Sequence, residues 1–213
     1  MDLLLAFLHV VRHLPEHLQG WAADYGAGLY AIVAVIIFAE TGLVVTPLLP
    51  GDSLLFAAGA VLAMGLPGLN LPVMCVVLIA AAIAGDLVNY HVGKWVAPRL
   101  FGDRFKWLNR KHLERTKEFY ARHGGKTIVL ARFVPIVRTY APFVAGLSGL
   151  PFTRYIVFCL AGGSLWIILF LNLGYFFGNI PAVKRNFELV IFAIVGVSLL
   201  PVFIEYIKAK RRP

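Results

Sequence analysis

The sequence predicts an all-α polytopic membrane protein, organised as an inverted repeat with two opposed re-entrant helical hairpins, four full spans and an N-terminal amphipathic helix. The first observation behind this prediction is composition, because 60% of the 213 residues are hydrophobic and only 15% are charged. A soluble domain of this size has too little polar surface to cover so much apolar surface. The second observation is that apolar stretches of spanning length recur along the chain, and the third is that prolines and charges interrupt two of them. Composition therefore excludes a soluble enzyme and a disordered chain.

Residues 1–24 place apolar and polar side chains at helical period, which predicts an amphipathic helix lying at the membrane interface. The first repeat follows over residues 25–96. Its re-entrant hairpin, at about residues 42–66, is predicted because an apolar stretch is interrupted by residues that end helices, Pro47, Pro50 and Gly51.

A basic segment, residues 97–126, lies in the stretch Lys94–Lys126 that carries half of the 20 Lys and Arg residues. The positive-inside rule places this segment and the basic tail, residues 208–213, in the cytoplasm. The second repeat, residues 127–207, holds three apolar stretches between them, so one stretch must return to its own face. We assign that role to a hairpin at about residues 127–149, because arginines and prolines interrupt it, the prolines being Pro135 and Pro142. The same parity makes the N-terminus cytoplasmic.

Four ionisable residues concentrate in the two hairpins, namely Glu40, Asp52, Arg132 and Arg138. Each ionised side chain at bilayer depth costs at least about 2.5–3.5 kcal/mol, so we expect acids to pair with bases in a cavity lined by protein or water. Two guanidinium groups suit a phosphate, and a buried carboxylate can carry a proton. The prediction is that Arg132 and Arg138 bind a lipid phosphate while Glu40 and Asp52 respond to protons. The alternative is that these charges only lock the hairpins together.

A shift of 92 residues aligns the two breaks, since it brings Glu40 onto Arg132 and Pro50 onto Pro142. Inverted repeats with a site near mid-membrane are common in secondary transporters. A second polar group shares one helix face and either extends a proton path or marks a polar helix end, and its members are Asp86, Asn89 and Tyr90.

Other features predict packing or surface contacts. Cys75 and Cys159 lie in apolar runs and are interpreted as packing residues, with no metal site and no cofactor predicted. Gly174 and Gly178 form a GxxxG pattern, which predicts close helix packing within the chain or in a homodimer. The basic segment is interpreted as an amphipathic surface on anionic lipid, with no nucleic acid as partner.

Three long motifs occur in order over nearly the whole chain. They are FAETGLVVTPLLPGDSLLF at 38–56, GDLVNYHVGK at 85–94 and HGGKTIVLARFVPIVRTYAPFVAG at 123–146. This set resembles the DedA family of bacterial inner-membrane proteins, which share a domain with eukaryotic lipid scramblases. The resemblance implies lipid transport that depends on the proton-motive force, including the return of undecaprenyl phosphate to the cytoplasmic leaflet. It also places the family's functional acids on Glu40 and Asp52 and its arginines on Arg132 and Arg138.

The sequence therefore predicts an inner-membrane flippase for undecaprenyl phosphate or a related anionic phospholipid, with the lipid and protons as partners. One alternative is a proton or cation antiporter with indirect effects on the envelope. A lipid phosphatase is disfavoured because no nucleophile is paired with a base near the hairpins, so no enzyme activity is predicted. A non-catalytic scaffold would function with all four charges neutralised.

Overall fold

The computed structural model describes residues 14–43, 51–100 and 126–185, together with residues 190 and 193, and this part of the chain is helical without a strand. The helices of more than one turn are α1 (Leu14–Tyr25), α2 (Gly28–Gly42), α3 (Gly51–Leu62), α4 (Leu71–Leu100), α5 (Lys126–Ala131), α6 (Pro135–Leu147), α7 (Phe152–Phe177) and α8 (Pro181–Arg185). The predicted all-α class is confirmed for these residues. The following predicted features lie outside them: residues 1–13, Pro47, Pro50, most of the basic segment, nearly all of the last span and the basic tail.

In the part of the chain that the structure describes, two helices are long and apolar enough to cross a membrane, Leu71–Ala97 within α4 and Phe152–Phe177. The second has 26 residues, which at a rise of 1.5 Å per residue extend about 39 Å, more than the hydrocarbon thickness of about 30 Å. The Asn70 side chain caps the start of α4, because its Oδ1 accepts a hydrogen bond from the Val73 backbone N–H at 2.9 Å. Large apolar side chains on both helices, such as Val76 and Phe176, point outward, as lipid contact requires.

The remaining apolar helices are shorter than a crossing requires. The 15 residues of α2 extend about 22 Å and the 12 residues of α3 about 18 Å. The predicted interruption of residues 127–149 is confirmed as a turn at 132–134 between the 6-residue α5 and the 13-residue α6. The opposed re-entrant arrangement, the four full spans and the inverted repeat stay predictions.

The prolines of the second hairpin have different roles. Pro135 begins α6, where its fixed φ favours the first helical turn, and the preceding Val134 is extended at φ −116° and ψ 104°. Pro142 was expected to break the hairpin, and this was wrong because α6 continues through it to Leu147. A proline inside a helix removes one backbone donor, so the Arg138 carbonyl cannot receive its helical hydrogen bond from residue 142.

The chain forms two compact units. Within the described residues, the first comprises 14–36, 51–79 and 167–185, and the second comprises 37–43, 80–100 and 126–166. In the first unit, α1 packs against α3 and buries a stripe spaced four residues apart, Leu14, Leu18 and Ala22. A helix with an apolar stripe is thus present over residues 14–24 of the predicted range, and the stripe is buried within the protein, while the position at the membrane interface stays a prediction.

The GxxxG pattern serves packing inside the first unit. A Cβ on Gly174 would overlap the Phe56 carbonyl of α3, and a Cβ on Gly178 would overlap Ala60. The helix backbones are therefore close enough that only hydrogen fits between them. The Asn179 side chain also donates a hydrogen bond to the Ala60 carbonyl at 3.0 Å. The prediction of close packing is confirmed within the chain, and the homodimer stays a prediction.

Candidate functional site

The first ion pair of the second unit joins Glu40, near the C-terminal end of α2, to Arg138, in the first turns of α6. The Arg138 Nη2 donates a hydrogen bond to Glu40 Oε1, although 98 residues separate the two along the chain. Both residues are buried, with exposed fractions of 3% and 9%. A charge-assisted Arg–carboxylate bond is among the strong hydrogen bonds of proteins, and here it lies away from solvent.

The guanidinium of Arg138 also lies over an aromatic ring. Its Cζ is 4.8 Å from the centroid of Trp166, a fully buried residue of α7. A cation over the face of an indole is attracted by the negative face of the ring, and the attraction increases in a desolvated place. Trp166 and Glu40 therefore both fix the position of this guanidinium.

The second ion pair joins Arg132, in the turn after α5, to Asp86 of α4, and both residues are buried. The Cys159 thiol donates to Asp86 Oδ2 at 3.1 Å and accepts from Arg132 Nη2 at 3.6 Å. The Tyr155 hydroxyl donates to the Asp86 backbone carbonyl at 3.1 Å. Two residues of α7, four positions apart, thus support the pair from one helix face.

Asn89 of α4 bridges two other helices. Its Nδ2 donates to the Thr41 carbonyl at 3.2 Å and to the Thr139 carbonyl at 2.8 Å. The close approach depends on Gly85, because a Cβ at that position would overlap the Thr41 side chain and approach the Phe38 carbonyl. Thr41 follows Glu40 and Thr139 follows Arg138, so this amide holds backbone directly beside the first ion pair.

Tyr90 has a packing role with one polar contact. Its ring stacks on Tyr155 at a centroid distance of 4.4 Å and an interplanar angle of 15°, and its hydroxyl donates to the Leu150 carbonyl at 2.6 Å. It belongs to a buried cluster with Ile128, Ala145 and Cys159. The next residue, His91, is exposed.

The structure pairs the predicted site residues in part. Glu40 meets Arg138, while Arg132 meets Asp86, which the sequence analysis had assigned to a secondary polar group. Asp86 is one turn from Asn89 on α4 and contacts Arg132, so the structure joins the secondary polar group to one of the predicted site arginines. Asp52 is buried in the first turn of α3, in the first unit.

Sequence reasoning missed three residues of α7, Tyr155, Cys159 and Trp166. Cys159 was interpreted as a packing residue, yet its thiol contacts both members of an ion pair. Their spacing in the sequence could have identified them. They are four and seven residues apart along an uncharged span, which places them on one helix face. Among the described residues, no three His, Cys, Asp or Glu side chains lie close enough together to hold a metal ion.

Chemically, the site offers two guanidinium groups that are each held by a carboxylate away from water. Neutralising one carboxylate would leave a buried positive charge, and a buried charge requires a partner. An anion with oxygen atoms in a plane or fork, such as a phosphate, matches the donors of arginine. Both arginines therefore have donors that suit an oxyanion, and in this structure a carboxylate occupies each of them.

Comparison with known proteins gives consistent relatives. The family model for the VTT domain matches residues 49–176. The chain is 48% identical over 212 residues to the protein DedA of Escherichia coli (strain K12), covering 99% of this chain and 97% of that protein. It is 36% identical over 198 residues to an uncharacterized membrane protein of Mycobacterium tuberculosis (strain H37Rv), covering 92% and 87%.

A third relative is the inner membrane protein YqjA of Escherichia coli (strain K12), 34% identical over 178 residues, which cover 79% of this chain and 80% of that protein. No solved structure matches the chain significantly. The second and third of these relatives are named as membrane proteins, and none of the three names states a reaction.

Proposed function

The chain belongs to the VTT-domain family that includes the DedA proteins, and from this membership and the site we propose that it transports a phosphate-bearing lipid across the bacterial inner membrane. The proposed lipid is undecaprenyl phosphate, or a related anionic phospholipid, and the process is carrier-lipid recycling driven by the proton-motive force. The observation that carries the proposal is the buried ion pair of Arg138 with Glu40.

The Glu40 carboxylate occupies the place that a phosphate oxygen would take. Arginine binds carboxylates and phosphates through the same planar donors, so one can replace the other with little movement of the guanidinium. A proton arriving on Glu40 removes its negative charge, and the Arg138 charge then requires a new anion. A phosphate headgroup entering from one leaflet supplies it, and loss of the proton on the other side returns Arg138 to Glu40. No covalent step is needed.

The second ion pair is proposed to open in the same way. Arg132 contacts Asp86, and Arg132 becomes the second phosphate ligand when the Asp86 carboxylate releases it. Asp52 is proposed as a further proton-responsive acid, since it is buried in the first turn of an apolar helix. An ionisable group at bilayer depth is by default functional, because its desolvation is costly.

The proposed topology has two re-entrant hairpins and four full spans. α3 belongs to the first hairpin, at about residues 42–66, and α5 and α6 form the second, which enters from the opposite face. The two long helices cross completely, and the protein is multi-pass with its C-terminus and its N-terminus in the cytoplasm. Non-helical backbone at membrane depth requires burial in protein or water, which the burial of Arg132 in its turn supports.

The test uses purified protein in liposomes loaded with undecaprenyl phosphate on the inner leaflet, with a pH gradient across the bilayer. A membrane-impermeant phosphatase outside hydrolyses each lipid that reaches the outer leaflet. We expect Arg138→Ala to slow this hydrolysis at least about tenfold, since a hydrogen bond to a charged group contributes about 1.5–3 kcal/mol. Arg154→Ala is the matched control, because Arg154 is exposed at the start of α7.

Two results would contradict the proposal. One is a rate of lipid translocation by wild-type protein that is no higher than the rate in protein-free liposomes. The other is Arg138→Ala protein that moves lipid as fast as wild type. Proton or cation flux in vesicles without any polyprenyl phosphate would favour the antiporter instead.

A further inference from the structure

We propose that Asn89 is the positioning residue of the site, and that its amide nitrogen sets the alignment of Glu40 with Arg138. This inference rests on the proposed function for its transport readout, but its geometric part is independent of the substrate. Asn89 is fully buried, and its Nδ2 bridges the backbone carbonyls of Thr41 and Thr139 at 3.2 and 2.8 Å.

The two carbonyls identify what the bridge holds. α2 ends at Gly42, so Thr41 carries one of the last four carbonyls of that helix, which lack a helical partner. Inside a membrane no water replaces the missing donor, and Asn89 provides it. Thr139 directly follows Arg138. One side chain therefore fixes the residues after both members of the ion pair, so the backbone beside Glu40 and the backbone beside Arg138 keep their places when the pair opens.

The remaining atom of the amide indicates a ligand. Asn89 Oδ1 is buried and has no hydrogen-bond partner among the residues that the structure describes. A buried acceptor without a donor destabilises a fold, so an apolar side chain would serve packing better. The atom fits an O–H donor that the described residues do not supply, from a water molecule or from the hydroxyl of a protonated phosphate.

The position of Asn89 on α4 connects both ion pairs. Asp86 lies three residues earlier, on the same helix face, and holds Arg132. One turn of α4 therefore contributes to both pairs. Asp86 is the carboxylate of one pair, and the Asn89 amide binds the backbone beside the other pair.

The test compares Asn89→Leu, which has the same outline without polar atoms, and Asn89→Asp, which keeps an acceptor but loses both donors when ionised. Asn172→Leu is the matched control, because the hydrogen bond that the Asn172 Nδ2 donates among the described residues stays within its own helix, to the Ile168 carbonyl at 2.7 Å. The rate of undecaprenyl phosphate translocation is measured against lipid density, together with the amount of folded protein by size exclusion. We expect both Asn89 variants to raise the apparent KM about tenfold or more, and the control to stay near wild type.

The second readout does not depend on the lipid. Trp166 lies under Arg138, so in protein with Phe at the other three tryptophans, 21, 95 and 107, its emission reports the position of that guanidinium. Both Asn89 variants should shift the emission spectrum, whereas Asn172→Leu should not. Either Asn89 variant carries the test if the other does not fold, because neither can make both of the hydrogen bonds that the Asn89 amide donates.

Unchanged KM together with unchanged Trp166 emission would overturn the proposal. So would a loss of maximal rate that only follows the loss of folded protein. If wild-type protein moves no lipid while the Asn89 variants still shift the Trp166 emission, the proposed function fails and the positioning role stands.

Discussion

Replacing Glu40 with glutamine keeps the shape of the side chain and removes the negative charge that faces Arg138. Both residues are buried, at 3% and 9% exposure, so solvent cannot replace the lost carboxylate. Removing one member of a buried ion pair costs about 3–5 kcal/mol. In a chain of this size each kcal/mol lowers the Tm by about 2–4 °C, so we expect a Tm about 6–20 °C lower.

The assay is thermal unfolding of detergent-purified protein, followed by the loss of the monodisperse size-exclusion peak. The double variant Glu40→Gln, Arg138→Met should recover most of the lost Tm, because it also removes the buried positive charge. The control is Glu16→Gln at an exposed position of α1, where we expect a change within about 0.5 kcal/mol.

The same variant connects stability to the proposed ligand. With Glu40 neutral, Arg138 should accept an external anion, so added undecaprenyl phosphate should raise the Tm of Glu40→Gln more than that of wild type. A Tm of Glu40→Gln equal to wild type would refute the reasoning. A double variant that is as unstable as the sum of its two single changes would refute it as well.

The remaining predictions concern the second ion pair and helix packing. Asp86→Asn should lower the Tm by a similar amount, because it leaves Arg132 buried without that carboxylate, and unfolding in detergent measures it. Gly174→Val should reduce the yield of folded protein sharply, because its side chain would collide with the Phe56 carbonyl, and quantitative size exclusion tests this. Gly20→Ala should raise the Tm, since nothing lies within 4 Å of the added Cβ and Ala favours an α-helix over Gly by about 0.5–1 kcal/mol. A lower Tm would contradict the packing of α1.

Local features of the chain were predictable because their causes are local. A residue such as Pro135 affects only the backbone beside it, and it begins α6 after the expected break. Pro142 shows the limit of the same argument, because a helix packed against neighbours tolerates one missing hydrogen bond. The second half of the GxxxG prediction, whether the glycines pack within the chain or in a dimer, also required the structure, which places Gly174 against α3.

The sequence by itself determined that the chain is an α-helical membrane protein and that acids and arginines lie in its apolar stretches, because composition and insertion energy depend only on which residues are present. Only the tertiary structure decided the partners. The shift of 92 residues aligned Glu40 with Arg132, whereas the helix packing brings Glu40 to Arg138 and Arg132 to Asp86. Coulomb attraction does not specify which opposite charges meet, and the backbone geometry of packed helices, set by Gly85 and Asn89 among others, selects the pairs.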